Sequence, residues 1–324
     1  MPSRATDARR AGSQGLPQIH TLQAGRQRLH VLPSLGGALA GWEWQRERQW
    51  LPLLRPWSAD PAALYATACF PLLPWSNRIT GGGFDFDGKH YPLVPNRLGE
   101  PYPIHGDSWR QAWTITAQAE DRMTLELESD RYDGNPYVYR ARQLLTLREN
   151  ALEIELRVTN TGTETLPYGL GLHPYFLRDA QTRLQFRSRG VWLSGPDRIP
   201  TSFTRQLPAG WDYNRPATLE DKLIDNCFEG WDGLAMIEDP TRGLRLQMHT
   251  TDRSGYVLMF RPVKQAFFCL EPVTHPIDAF HRPKRPGLID LAPGEDMVLL
   301  TRFSVCEIAQ EEPRARPATA SAAR

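Results

Sequence analysis

The chain has 324 residues, 40% of them hydrophobic and 23% charged, a balance that suits a folded domain with a sizeable core. Its formal net charge of +1 gives no global attraction to nucleic acid or an anionic membrane, and only four of its 38 basic residues are lysine. The cysteines, Cys69, Cys227, Cys269 and Cys306, lie far apart with no CxxC pair, so the pattern predicts reduced thiols in a cytoplasm rather than a disulfide framework.

Residues 1–15 are polar and Arg-rich, without the apolar core of a signal peptide, and read as a disordered tail. Residues 311–324, rich in Pro, Ala and Arg, read the same way. Residues 16–310 form one predicted domain, undivided by any linker, with nothing near the roughly 18 apolar residues of a membrane helix. Arg28 to Leu32 looks like a strand leading into Gly36-Gly37, and a second candidate runs from Leu39 to Gln45. Asp60 and Pro61 form an N-cap and first-turn proline, predicting a short helix through Tyr65. Phe84 to Tyr91 is a hairpin signal with Asp87-Gly88 at its turn.

Further on, Met123, Leu125 and Leu127 alternate with polar residues, as do Leu152, Ile154, Leu156 and Val158, and Leu244, Leu246 and Met248. Such segments are half-buried antiparallel strands with one wet face. A second short helix is predicted from Thr218, capping a turn that contains Asp221, to about Ile224. The 28 prolines and 25 glycines punctuate the strands as turns. The prediction is an all-β fold: one large antiparallel β-sandwich with a few short helices.

Several catalytic devices are missing from the sequence. There is no Rossmann fingerprint and no nucleophile elbow, and Gly81-Gly82-Gly83 lacks the lysine of a phosphate loop. The eight histidines show no metal-ligand spacing, so no metal is expected. What stands out is Ala266 to Val273, where an apolar run meets a carboxylate. In a strand Glu271 shares a face with Phe267 and Cys269. A carboxylate among apolar neighbours costs several kcal/mol unless it is paired or stays wet in a cleft, and burial raises its pKa toward that of a general base. The alternative is a strand that ends at Pro272 with Glu271 in solvent.

Four other stretches carry polar residues in unusual places. Phe70 to Arg78 runs an apolar segment into Trp75, Asn77 and Arg78. His105 precedes a glycine, His173 sits among glycine and apolar residues, and Asp225 follows the second predicted helix. Singly, each has a structural reading: a turn, a carbonyl-bonded histidine, an ion-paired arginine, a helix end. Together they suit a polyol site, in which tryptophan stacks on sugar C–H surfaces while Arg, Asp and Asn bind hydroxyls.

The order Asn77-Arg78, His105-Gly106, Gly171-Leu172-His173-Pro174-Tyr175-Phe176, Ile224-Asp225-Asn226 and Leu270-Glu271-Pro272 resembles the aldose 1-epimerase (galactose mutarotase) family, over nearly the whole chain from about Leu29 to Phe303. The resemblance implies a supersandwich with a sugar cleft on one sheet, no metal and no organic cofactor. It implies Glu271 as general base and His173 as general acid. His105, Arg78, Asp225, Asn77 and Trp75 are expected to bind or frame the sugar. The expected partner is a small-molecule sugar, with the protein a monomer or weak dimer. Asp107 stands where a second glycine is common in the family, and Pro74-Trp75-Ser76 departs from galactose-specific members. Those departures leave the hexose open, including one with an anionic group at carbon six, a phosphate or the sulfonate of sulfoquinovose. A non-catalytic sugar-binding sandwich is the alternative.

Overall fold

The alternating segments pair as their wet and dry faces require. In the computed structural model, which describes residues 16–59, 66–251 and 255–308, they form two large antiparallel sheets and smaller ones. The predicted tails 1–15 and 311–324, and the predicted helix from Asp60 to Tyr65, lie outside the described residues. A nine-stranded sheet has Ala151–Asn160 flanked by Val138–Arg148 and Asp296–Glu307. In its register Leu152 meets Phe303 and Leu156 meets Leu299, so apolar side chains share the inner face. Glu153 on the outer face is ion-paired with Arg148 and Arg302.

The eight-stranded sheet places Phe267–Val273 between Tyr256–Arg261 and the short Gly171–Leu172 strand. Its alternation sorts residues between two apolar clusters. Phe268, Leu270, Met259 and Phe228 enter the main core between the sheets. Cys269, Val273, Leu258 and Cys227 face the other way, into a smaller cluster with Phe70 and Tyr175. Apolar clusters therefore cover both faces of this sheet around Phe267–Val273, and Glu271 on its outer face is buried. The strand does not end at Pro272 but runs through it to Val273, with Pro272 opposite Val257.

The hairpin is where Asp-Gly puts it: Gly83–Phe86 pairs with Lys89–Pro92, and Asp87 and Gly88 both take positive φ, 49° and 74°. The second predicted helix does not form. Thr218 ends a short strand and Ile224 begins the next, while the Asp221 carboxylate accepts from the Lys264 N–H at 2.7 Å and from Arg178 at 3.0 Å. A tertiary contact thus takes the group that would have closed a helical turn. Helical structure among the described residues consists of three-residue 3-10 turns such as Ser108–Arg110, and no helix there is long and apolar enough to cross a membrane.

Two loops cross above the outer face of the eight-stranded sheet. The His105 N–H donates to the Asn77 carbonyl at 3.0 Å, and Arg78 bridges Ile104. Asn96 braces the crossing, its amide donating to the Ile104 and Gly106 carbonyls at 2.8 and 2.7 Å. Asn77, His105 and Gly106 hold positive φ of 54°, 63° and 65°. A Cβ on Gly106 would lie 2.0 Å from the Leu73 carbonyl oxygen. Gly106→Ala should therefore destabilise the fold by about 2 kcal/mol or more, combining a left-handed backbone with a backbone clash. Denaturant unfolding checks this, and an unchanged midpoint would mean that the crossing yields freely.

Candidate active site

One continuous register assembles the centre of the site. Tyr175 pairs with Cys269 and Gly171 with Val273, so His173 falls opposite Glu271 between them. The two side chains meet, His173 Nε2 lying 3.3 Å from Glu271 Oε1. On its other edge the His173 N–H donates to the Phe70 carbonyl at 3.0 Å. The imidazole is sandwiched between Phe70 and Tyr175, each ring centroid 4.7 Å away and tilted by only 25° and 17°. Two flat faces fix the ring plane and leave its edge to the carboxylate. Both side chains are buried, and neither Oε2 of Glu271 nor Nδ1 of His173 has a hydrogen-bond partner. Orphaned buried groups of this kind are costly and mark a place that a ligand or water completes.

Burial pushes the Glu271 carboxyl well above its ordinary range, Asp225 adds to the shift, and Arg78 opposes it. Burial, reinforced by Arg55, lowers His173 to about 3. Both shifts have burial as their first cause, and both favour the uncharged forms, a carboxylic acid beside a neutral imidazole. His105 is neutral for related reasons: burial first, then His173, Arg78 and Arg97. Its Nδ1 accepts from the Asn77 N–H at 3.1 Å, which puts its proton on Nε2.

The pair lies in a cleft of about 330 Å³ that Arg78, His105 and Asp225 also line. Arg78 is held from three sides. It donates to both Glu100 oxygens at 2.7 and 3.2 Å and to Asn77 Oδ1 at 3.2 Å, with Asp225 at 3.9 Å. Asn77 therefore shapes the Arg78 loop, as expected. Asp225 shares a rung with Phe260, and its own pKa is raised by burial against the pull of Arg78 and Arg198.

Trp75 is a correction. It is buried in the main core, packed against Tyr137 at 5.7 Å, and does not line the cleft. The loop crossing turns Asn77 and Arg78 to the cleft and Trp75 behind its wall. Tyr175, Phe260 and Phe267 supply the aromatic surface in its place. Asp107 also points away, accepting from Tyr139, from Asn135 at 2.6 Å and from Ser129 at 3.4 Å.

Sequence reasoning missed Glu100 and the cleft arginines Arg55, Arg97 and Arg198. Arg55 lies over the Tyr175 ring at 3.7 Å and donates to the Thr67 carbonyl at 3.0 Å. Arg198 approaches Asp225 at 3.5 Å and Glu100 at 3.6 Å. None of these sits in a periodic pattern. Tyr175, two residues from His173 on the same face, did carry a signal. The register also brings ligand-type atoms of His173, Cys269 and Glu271 within 4.8 Å of one another, which spacing along the chain does not reveal.

The buried histidines give a direct test of this electrostatic picture. His275, whose Nε2 accepts from the Ser76 N–H at 3.0 Å, is lowered by burial to about 4. The ring resonances of His105, His173 and His275 should stay those of neutral imidazoles from about pH 8 to about pH 5 by NMR. A midpoint near 6.5 at any of the three would mean a solvated ring.

The aldose 1-epimerase family model matches residues 18–304. The Escherichia coli protein YphB, itself uncharacterized, is 38% identical over 284 residues, covering 86% of this chain and 95% of its own. The galactose mutarotase of Homo sapiens is 24% identical over 269 residues, covering 70% of this chain and 75% of its own. A solved Escherichia coli structure, a presumed aldose 1-epimerase, superposes with a TM-score of 0.84 at 36% identity, covering 90% of this chain and 99% of that one. A Caenorhabditis elegans homologue at 17% identity and TM-score 0.76, covering 90% and 100%, shares the fold. With its antiparallel sandwich and a match that spans nearly all the described residues, the chain belongs to the aldose 1-epimerase family.

Proposed function

We propose that the protein interconverts the α and β anomers of a free aldohexose, and that this sugar carries a phosphate or sulfonate at carbon six. The observation that supports the reaction most directly is the Glu271–His173 pair, buried and in contact, with an unpartnered carboxylate oxygen on the cleft floor. Sugar hydroxyls entering the cleft stabilise the charged form of the pair, carboxylate beside imidazolium. Glu271 then takes the proton of the anomeric hydroxyl while His173 gives its proton to the ring oxygen. The C1–O5 electron pair leaves with the ring oxygen as the O1 electrons close the aldehyde carbonyl. After rotation about C1–C2, the ring oxygen attacks the opposite face and both protons return. No proton is consumed over the cycle. The Nε2–H of His105 donates toward the sugar, and Arg78 and Asp225 offer donors and acceptors to its hydroxyls.

The anionic substituent follows from the charge of the walls. Among the described residues, Arg55, Arg78, Arg97 and Arg198 line the cleft together with two carboxyl groups, Asp225 and the buried Glu271, with Glu100 behind Arg78. Arg55 and Arg78 are firmly held. Arg198 is half exposed and reaches its carboxylates only at 3.5–3.6 Å, so turning it to an incoming anion costs little.

Glu271→Gln should abolish anomer exchange while sparing folding and sugar binding; near-normal exchange in a folded Gln variant would remove Glu271 from the mechanism. His173→Asn should lower kcat by about 10²–10⁴, and His105→Asn should raise KM as well. The substituent has its own check. Arg198→Gln should weaken kcat/KM for a hexose 6-phosphate or 6-sulfonate by roughly 10- to 100-fold relative to the neutral hexose, the value of a charge-assisted contact. Equal losses on both sugars would count against an anionic substrate.

A further inference from the structure

The register that pairs Glu271 with His173 also sets a third metal-ligating side chain beside them. Cys269 precedes Glu271 by two residues on the same face of the strand. It is a free, buried thiol, and the ligand atoms of His173, Cys269 and Glu271 all lie within 4.8 Å of one another. A tetrahedral zinc site with bonds of about 2.0–2.3 Å needs ligand atoms roughly 3.3–3.7 Å apart. The 3.3 Å between His173 Nε2 and Glu271 Oε1 already meets that, and the thiol has to close by no more than about an ångström. Glu271 Oε2, buried and without a partner, is a lone-pair donor with nothing yet to bind.

Charge favours occupation too. A thiolate, a carboxylate and a neutral imidazole around a dication sum to zero, so the filled site buries no net charge. The thiol is held protonated by burial and by Glu271, but a bound soft cation removes that proton directly.

We propose that His173, Cys269 and Glu271 form a three-ligand site for a thiophilic divalent cation of the zinc class, and that filling it switches the acid–base pair off. On binding, the Sγ–H bond breaks as the Sγ–metal bond forms. The Glu271 carboxyl proton also leaves to solvent, and no electron changes hands. A water or a sugar hydroxyl takes the fourth position from the cleft side. With the lone pairs of both Glu271 and His173 on the metal, neither can carry a proton for the sugar. The binding part stands on geometry alone; the inhibitory part rests on the proposed anomer exchange.

The test titrates chelator-treated full-length protein with cadmium, whose thiolate complex gives an ultraviolet charge-transfer band, and follows anomer exchange against zinc. Wild type should show the band at one equivalent and be inhibited by zinc, with activity restored by EDTA. Cys269→Ala and Cys269→Ser should lose the band and need about a hundredfold more zinc for half inhibition, since losing a metal ligand costs at least as much as losing an outer-shell partner. Cys69, Cys227 and Cys306 remain in both variants as internal controls. Ser keeps nearly the volume of Cys, so it decides the outcome where Ala disturbs folding. An equal band in wild type and a folded Ser variant would overturn the site. Equal zinc sensitivity would overturn the inhibition. Should wild type show no anomer exchange at all, the proposed reaction fails while the cadmium band still decides the site.

Discussion

The candidate site hangs on the pairing of Phe267–Val273 with the segment that runs from Gly171 to Leu177. A slip of one residue would turn every side chain of the strand to the opposite face and send Glu271 into the main core. The register is pinned on both sides of Glu271 and His173, by Gly171 against Val273 and by Tyr175 against Cys269. Gly171 permits the close approach: a Cβ there would meet a Val273 methyl at 2.9 Å and the Pro272 carbonyl at 3.1 Å. The aromatic rings either side of His173 do for its orientation what the register does for its position. Position and plane together bring Nε2 to the carboxylate.

Around this centre lies a chain of alternating charge, Glu100, Arg78, Asp225 and Arg198. Buried ion pairs are costly to desolvate and persist when further hydrogen bonds satisfy them. Arg78 has such bonds from Glu100 and Asn77. Its grip leaves a rigid cationic fork facing the cleft, preorganised for hydroxyl or anion binding. The same chain reaches the Glu271 carboxyl. Burial is the first cause of its raised pKa, Asp225 adds to the shift and Arg78 opposes it. Glu100, which no pattern in the sequence marks, therefore holds the guanidinium that lies beside the carboxyl groups of the cleft.

Period-two alternation is a local property, and it identified the strands, the dry approach to Glu271 and the all-β class correctly. The Asp87-Gly88 turn was readable because positive φ at both central residues is a demand on residue type. Motif order carried the family, and with it the carboxylate, the two histidines, Arg78, Asp225 and Asn77, all of which the fold gathers in one cleft apart from Asn77's role in shaping its edge. The failures have one cause. Asp221 was read as part of a helical turn but is bound by Lys264 and Arg178, far along the chain, and Trp75 was read by its type although the loop crossing decides which way it faces.

The sequence alone determined which chemical groups are present and which of them share a strand face, because side-chain direction in a strand depends only on neighbouring residues. Tertiary structure alone decided that His173 stands against Glu271 and between two aromatic rings, that burial disfavours the charged form of each, and that the Cys269 thiol lies within reach of both. A pKa and a ligand cluster depend on desolvation and on charges a few ångströms away in space, and those neighbours come from segments about a hundred residues apart, joined only by cross-strand register.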